Sequence, residues 1–171
     1  VQDNIKRYQP GLFVVSKIYL NKFVEIYPSA RYDYISDIND NVLSGKFGIN
    51  IRPVNNSSFN IKASAGNNYA APTFNELYWK DLGNIDLKPE RSLNLETGVI
   101  YGFKFISENS VEFTYTYINA GDKIVWSPNS AGLWIPANIG LSSSNVFLFD
   151  ANLKKQFNED LCADLNINYS Y

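Results

Sequence analysis

The sequence predicts an all-β, antiparallel, up-and-down chain that crosses a membrane as part of a β-barrel. Three observations predict it. Eight strand-like runs are present, and most of them alternate between apolar and polar residues at period two, as strands with one greasy and one wet face do. The longer runs reach about 10 to 12 residues, whereas soluble strands run to five or six and a tilted membrane strand needs about nine to eleven. Short connections alternate with longer ones rich in Pro, Gly and Trp, the rim pattern of outer-membrane barrels.

The runs are justified in turn. Leu12 to Leu20 is apolar on both parities at its start, so its facing is open. From Lys22 to Tyr34, Val24, Ile26, Pro28, Ala30, Tyr32 and Tyr34 oppose Glu25, Ser29, Arg31 and Asp33. Pro28 has no N–H, which predicts a bulge or a lost ladder bond. From Val42 to Val54, Leu43, Phe47, Ile49 and Ile51 oppose Ser44, Lys46, Asn50 and Arg52. Phe59 to Gly66 and Ser92 to Tyr101 repeat the alternation, as do Ser110 to Tyr117 and Leu161 to Tyr171. Ile139, Leu141, Phe147, Phe149, Ala151 and Leu153 form the remaining strand on one parity, with Ser143 and Asn145 as a polar gap. Short turns are expected at Asn21-Lys22, Asn55 to Ser58, around Ser107 to Asn109, and at Gln156 to Asp160. Longer loops are expected at Ile35 to Asn41, Asn67 to Glu90 and Ser127 to Leu133.

Composition narrows the chemistry. The 171 residues contain no histidine, which removes Ser-His-Asp and Cys-His nucleophiles, His-based zinc sites and imidazole proton shuttles. Net charge is −2, so nucleic acid gains nothing from bulk electrostatics. The single Cys162 has no disulfide partner and reads as a small wall residue. Tyr 12, Phe 11 and Trp 3 suit a barrel with aromatic girdles. No run of about 18 apolar residues is present, as a transmembrane helix requires. With no methionine, Val1 reads as the start of an internal piece.

Two other constellations carry no catalytic or metal assignment. Asp37-Ile38-Asn39-Asp40-Asn41 alternates oxygen ligands like a calcium loop, but Val42 and Gly48 stand where that loop needs Gly and a bidentate Glu, so a solvated turn is expected. Glu96 and Glu112 share the wet parity of neighbouring strands, where a polar lumen needs charges in any case.

The stretch from Tyr69 to Ser92, YAAPTFNELYWKDLGNIDLKPERS, is the most distinctive part of the chain, since long loops in a tight β pattern are usually functional. Pro72 and Pro89 fix φ and end strands, and Gly83-Asn84 is a turn pair that tolerates positive φ. Glu90 is expected to form a rim ion pair with Arg91 or Lys88. Tyr69, Phe74, Tyr78 and Trp79 are the ligand candidates, because aromatic faces bury much area at little rotamer cost.

This loop resembles the signature of TonB-dependent outer-membrane receptors, in which an "F-R-A-P-x-x-x-E-L-Y" stretch precedes "G-N-P-x-L-K-P-E-x-S". Ala71, Pro72, Asn75, Glu76, Leu77 and Tyr78 match the first part; Gly83, Asn84, Leu87, Lys88, Pro89, Glu90 and Ser92 match the second. Ala70 and Ile85 depart from the pattern. Ala30-Arg31-Tyr32-Asp33, the Tyr115 to Trp126 hairpin and Asn138-Ile139-Gly140 resemble further family pieces, in a style closest to the cobalamin and siderophore branch. The resemblance implies that residues 1–171 are part of a barrel of about 22 strands. It also implies that the lumen plug lies outside this chain and that the motif residues mostly order the loop. The implied function is active import of a scarce nutrient, such as a ferric siderophore or a cobalamin, across the bacterial outer membrane. The TonB complex would act through the plug, and membrane lipid would surround the barrel. Catalysis and a cofactor are not expected. Two other readings stay open: a small stand-alone barrel acting as a passive pore or adhesin, and a soluble β-sandwich used for binding.

Overall fold

The computed structural model describes residues 5–53, 58–105, 107–157 and 162–171. One antiparallel sheet dominates it. Strands β1 (Gly11–Val15), β2 (Ile18–Tyr19), β3 (Val24–Ile35), β4 (Asp40–Ile51) and β5 (Phe59–Ala70) lead into a short helix, α1 (Phe74–Tyr78). Then come β6 (Glu90–Phe105), β7 (Ser107–Gly121), β8 (Lys123–Pro128), β9 (Trp134–Ile139), β10 (Ser142–Gln156) and β11 (Cys162–Ser170). The sheet order is β1-β3-β4-β5-β6-β7-β10-β11, with β2 beside β3, while β8 and β9 form a separate hairpin. These eight successive strands are the eight runs of the sequence. The sheet is open, with β1 and β11 at its edges, as a barrel segment must be.

Each ladder keeps one register from end to end, so the faces are set by parity. Ile26, Phe47, Ala65, Leu95, Tyr117, Phe147 and Tyr169 fall on one face with Leu43, Ile49, Ile61, Val99, Phe113, Phe149, Leu165 and Ile167. Lys46, Asn50, Lys62, Ser64, Asn94, Glu96, Glu112, Thr114, Asp150 and Asn166 fall on the other. The apolar face is uncovered: Phe47 is 50% exposed, Phe113 47% and Leu165 55%. A sandwich would bury these side chains under a second sheet, and none lies over them among the described residues. Twelve residues, the length of β4, rise about 40 Å at roughly 3.3 Å each, and a barrel tilt near 40° brings that to about 30 Å, the thickness of hydrocarbon.

The wet face is knitted by charge. Lys62 pairs with Glu112 and lies 3.8 Å from Glu96, and Thr114 Oγ1 donates to Glu112 at 3.0 Å. Glu25 is met by Arg52 at 2.7 Å, Lys17 at 3.2 Å and the Tyr27 hydroxyl. Cys162 stands exposed at the start of β11.

Several expectations need correction. The run from Leu12 to Leu20 is two strands broken at Ser16-Lys17, opposite Pro28. Register does not slip there; Ser16 N–H still donates to the Pro28 carbonyl at 3.0 Å, and Pro28 has no N–H to return. The result is a lost bond without a bulge. Ile139 closes β9, and Gly140-Leu141 interrupt the chain before β10 starts at Ser142. Ser107 to Asn109 are already strand, with Phe105 paired to Ser107. The β3–β4 connection is a tight turn over residues 36–39, with Asn39 at φ 48°. The expected turns at Asn55 to Ser58 and Gln156 to Asp160, and the strand ends Val54 and Leu161, lie wholly or partly outside the described residues.

Candidate functional site

One rim carries the connections 36–39, 71–89 and 122–141 together with the segment 5–10. The buried apolar residues of the described chain gather there: Ile35, Val42, Leu77, Leu87, Pro72 and Pro136, with Ala151 the exception within the wall. The wall has no core of its own, so the rim is where this chain folds against itself.

The loop is built on α1. Thr73 caps the helix, accepting from the Glu76 N–H, while the Glu76 carboxylate accepts from Thr73 N–H at 2.7 Å. That reciprocal pair is a capping box. Leu77 turns inward and is 2% exposed. The chain then folds back tightly: Gly83 N–H donates to Trp79 O at 2.7 Å and Asn84 N–H to Glu76 O at 2.8 Å. Gly83 is needed here for close approach, because a Cβ would sit 2.6 Å from both Leu77 O and Trp79 N. The residue of this turn with positive φ is Asp81, at 64°, rather than the expected Gly83-Asn84 pair.

Two bridges tie the loop to its neighbours. On one side is the β8–β9 hairpin. Asn84 Nδ2 donates to Pro136 O at 3.2 Å, and Asn138 exchanges bonds with the Lys88 backbone, accepting from N–H and donating to C=O at 2.8 Å each. Asn138 also donates to Asp122 O at 2.6 Å. Glu90 accepts from Ile124 N–H at 2.6 Å, so its expected ion pair gives way to a backbone bond, and Arg91 instead meets Asp40 at 3.5 Å. Trp79 and Trp126 pack edge to face with centroids 6.0 Å apart.

On the other side is Arg7. Its Nε and Nη2 donate to both oxygens of Asp37 at 2.6 and 2.7 Å, and Nη2 also donates to Pro72 O at 2.8 Å. Its guanidinium lies 5.0 Å over the Phe74 ring. The Asp37 side chain is 3% exposed and Arg7 16%, so the turn read as solvated holds a nearly buried ion pair. Burial works against ionisation of Asp37, but the Arg7 bonds outweigh it and hold the carboxyl below its ordinary value. The same bond raises the Arg7 guanidinium, and burial, then the Asp37 charge, raises the Tyr78 phenol.

The four aromatic ligand candidates therefore stand differently. Phe74 and Trp79 are 37% and 48% exposed. Tyr78 is half-buried, 6.1 Å from Phe74 between ring centroids. Tyr69 donates its hydroxyl to Asp40 at 3.1 Å and carries Arg91 at 5.5 Å over its ring. Leu87 is buried, Lys88 is exposed and Pro89 sits directly before β6. Beside Tyr69 the wet face dips into a depression of about 390 Å³, lined in part by Asn68, Ala70, Glu90, Ile118, Lys123 and Ser144. Arg7, Asp37 and Asn138 are the residues that sequence reasoning missed as partners of this loop, and Arg91 pairs with Asp40 rather than with Glu90.

Comparison with known proteins places this geometry. The family model "TonB dependent receptor-like, beta-barrel" matches residues 1–171. A vitamin B12 transporter, BtuB, of Photobacterium profundum is 39% identical over 87 residues, covering 48% of this chain and 14% of that protein. Transferrin-binding protein A of Neisseria meningitidis is 27% identical over 130 residues, covering 68% and 13%. Among solved structures, the siderophore receptor PirA of Pseudomonas aeruginosa superposes with a TM-score of 0.74 at 23% identity, covering 95% of this chain and 31% of that one. The copper transporter OprC superposes at 0.69 and 15%, covering 95% and 28%. The chain thus spans under a third of the length of each of these proteins. Its open sheet, lipid-facing belt and wet inner face are the barrel wall that the family model describes, and the chain belongs to the TonB-dependent receptors of the bacterial outer membrane.

Proposed function

We propose that this chain is the loop-bearing wall of a receptor that imports a scarce nutrient, a ferric siderophore or a cobalamin. Energy comes from the TonB complex, through a plug domain contributed outside these residues. The observation that carries the reading is the ordered rim. A long loop is fixed by capping, by Asn138 and by Arg7, yet leaves Phe74 and Trp79 open to solvent. A preorganised loop with exposed rings loses little entropy on binding. Phe74 and Trp79 are the foremost ligand contacts; Tyr69 and Tyr78 belong to the same surface through their hydroxyl and ring partners. The named relatives bind or carry different cargoes, so the choice between the two ligand classes rests on the sequence style of the cobalamin and siderophore branch.

The test is uptake by the full-length receptor in a host lacking its own receptors, with labelled cyanocobalamin and ferric siderophores offered separately. TonB-dependent accumulation of one of them is expected, with roughly tenfold weaker binding in Trp79→Ala, as loss of a stacked ring implies. Passive, TonB-independent passage of small solutes would instead identify a pore.

A further inference from the structure

The seams of this sheet do not all reach the loop rim. The β3–β4 ladder is paired up to Ile35↔Asp40 and the β5–β6 ladder up to Ala70↔Glu90. Between them, the β4–β5 ladder stops at Gly45↔Asn67. Asp40 to Ser44 on β4 and Asn68 to Ala70 on β5 therefore have no backbone rungs joining them, and the two hairpins part as they rise. An open depression of about 340 Å³, lined in part by Val42, Leu43, Asn67, Tyr69, Arg91 and Leu93, lies along the gap.

Side chains bridge it. Asn67 donates Nδ2 to Leu43 O at 3.0 Å and accepts from Gly45 N–H at 2.8 Å, standing in for the next rung. Asp40 accepts from the Tyr69 hydroxyl at 3.1 Å and pairs with Arg91 at 3.5 Å through the same oxygen. Above these, Arg7 grips Asp37 in the β3–β4 turn and Pro72 in the long loop. A ladder of backbone bonds opens cooperatively, whereas side-chain bonds of this kind break one at a time and each contributes modestly.

We propose that the β4–β5 seam above Gly45↔Asn67 is a hinge line along which the β3–β4 tip and the loop carrying α1 separate and re-close, with Arg7 as the strap that holds them together. Asn67, Tyr69 and Arg91 form a second, lower fastening. The proposal does not depend on which ligand is carried, and its test needs none.

Hydrogen exchange by mass spectrometry on the full-length receptor in lipid nanodiscs tests it. In the unaltered protein, peptides covering 40–44 exchange faster than those covering 45–51. Arg7→Ala accelerates both 40–44 and 73–79 by about tenfold or more, because the strap touches both sides. Tyr69→Phe, which removes one hydroxyl and keeps the ring, accelerates 40–44 several-fold and leaves 73–79 unchanged. Residues 45–51 and 61–67 stay slow in both variants. The hinge is overturned if 40–44 is as protected as 45–51, if Arg7→Ala changes one side alone or neither, or if Tyr69→Phe speeds exchange uniformly from β3 to β6.

Discussion

Single residues set the rim. Gly83 sits where two backbone atoms leave no room for a methyl group. Gly83→Ala is expected to push the loop off α1 at about 2 kcal/mol, read as faster proteolysis within 71–89 while the strands stay intact. Asp37 gives the rim a pH response. Its carboxyl lies below its ordinary value in the folded protein, so its contribution is complete above the unfolded value of about 4 and is lost as pH falls through the lower folded value. Amide protection in 73–79, measured against the intrinsic exchange rate at each pH, is therefore expected to fall below about pH 4, and Asp37→Asn should flatten that response. The long-range pairs that fasten the rim are the least legible in the sequence. Arg7 lies 30 positions from Asp37 and 65 from Pro72, and Asn138 lies 50 from Lys88, so no local pattern announces the pairs.

Elements were read better where their pattern is periodic. The eight strand-like runs fall on the main sheet, the first of them split into β1 and β2, because a wall with lipid on one side and water on the other imposes period two along its strands. Their ends were read short: β6, for instance, extends from Glu90 to Phe105, past the alternation at Ser92 to Tyr101. Helix α1 was missed although Thr73-x-x-Glu76 spells a capping box, since five residues are too few to show a helical period. The β8–β9 hairpin reads partly as loop, because Pro128 and Pro136 cannot donate to a ladder. The face assignment makes a sharp prediction at this scale. Phe47→Lys, near the middle of β4 on the apolar face, should cost about 2–4 kcal/mol of folding stability in lipid. Lys46→Ala, next door on the wet face, should stay within about 0.5 kcal/mol. Equilibrium unfolding of the full-length receptor from liposomes measures both.

At the scale of the whole molecule, the sheet is a surface without an interior. Its apolar side is a broad exposed belt, far beyond what a soluble protein leaves open. The full-length receptor is expected to run as a single species in detergent by size exclusion and to aggregate when detergent is removed. A species that stays monodisperse in plain buffer would contradict the lipid-facing assignment. Family and architecture were legible because the loop motif and the strand alternation are both local in sequence. The ligand was not, since its recognition depends on rings and depressions that several strands and loops assemble together.

The unslipped ladders also govern how this protein can change over generations. Each strand shares a common count with its neighbours, so gaining or losing one residue inside the wall would rotate Lys62, Glu96 or Asp150 outward into oil and draw phenylalanines into the channel. Length can vary by ones above the rim, whereas within the wall it must change in twos, and insertions among related sequences should be distributed accordingly.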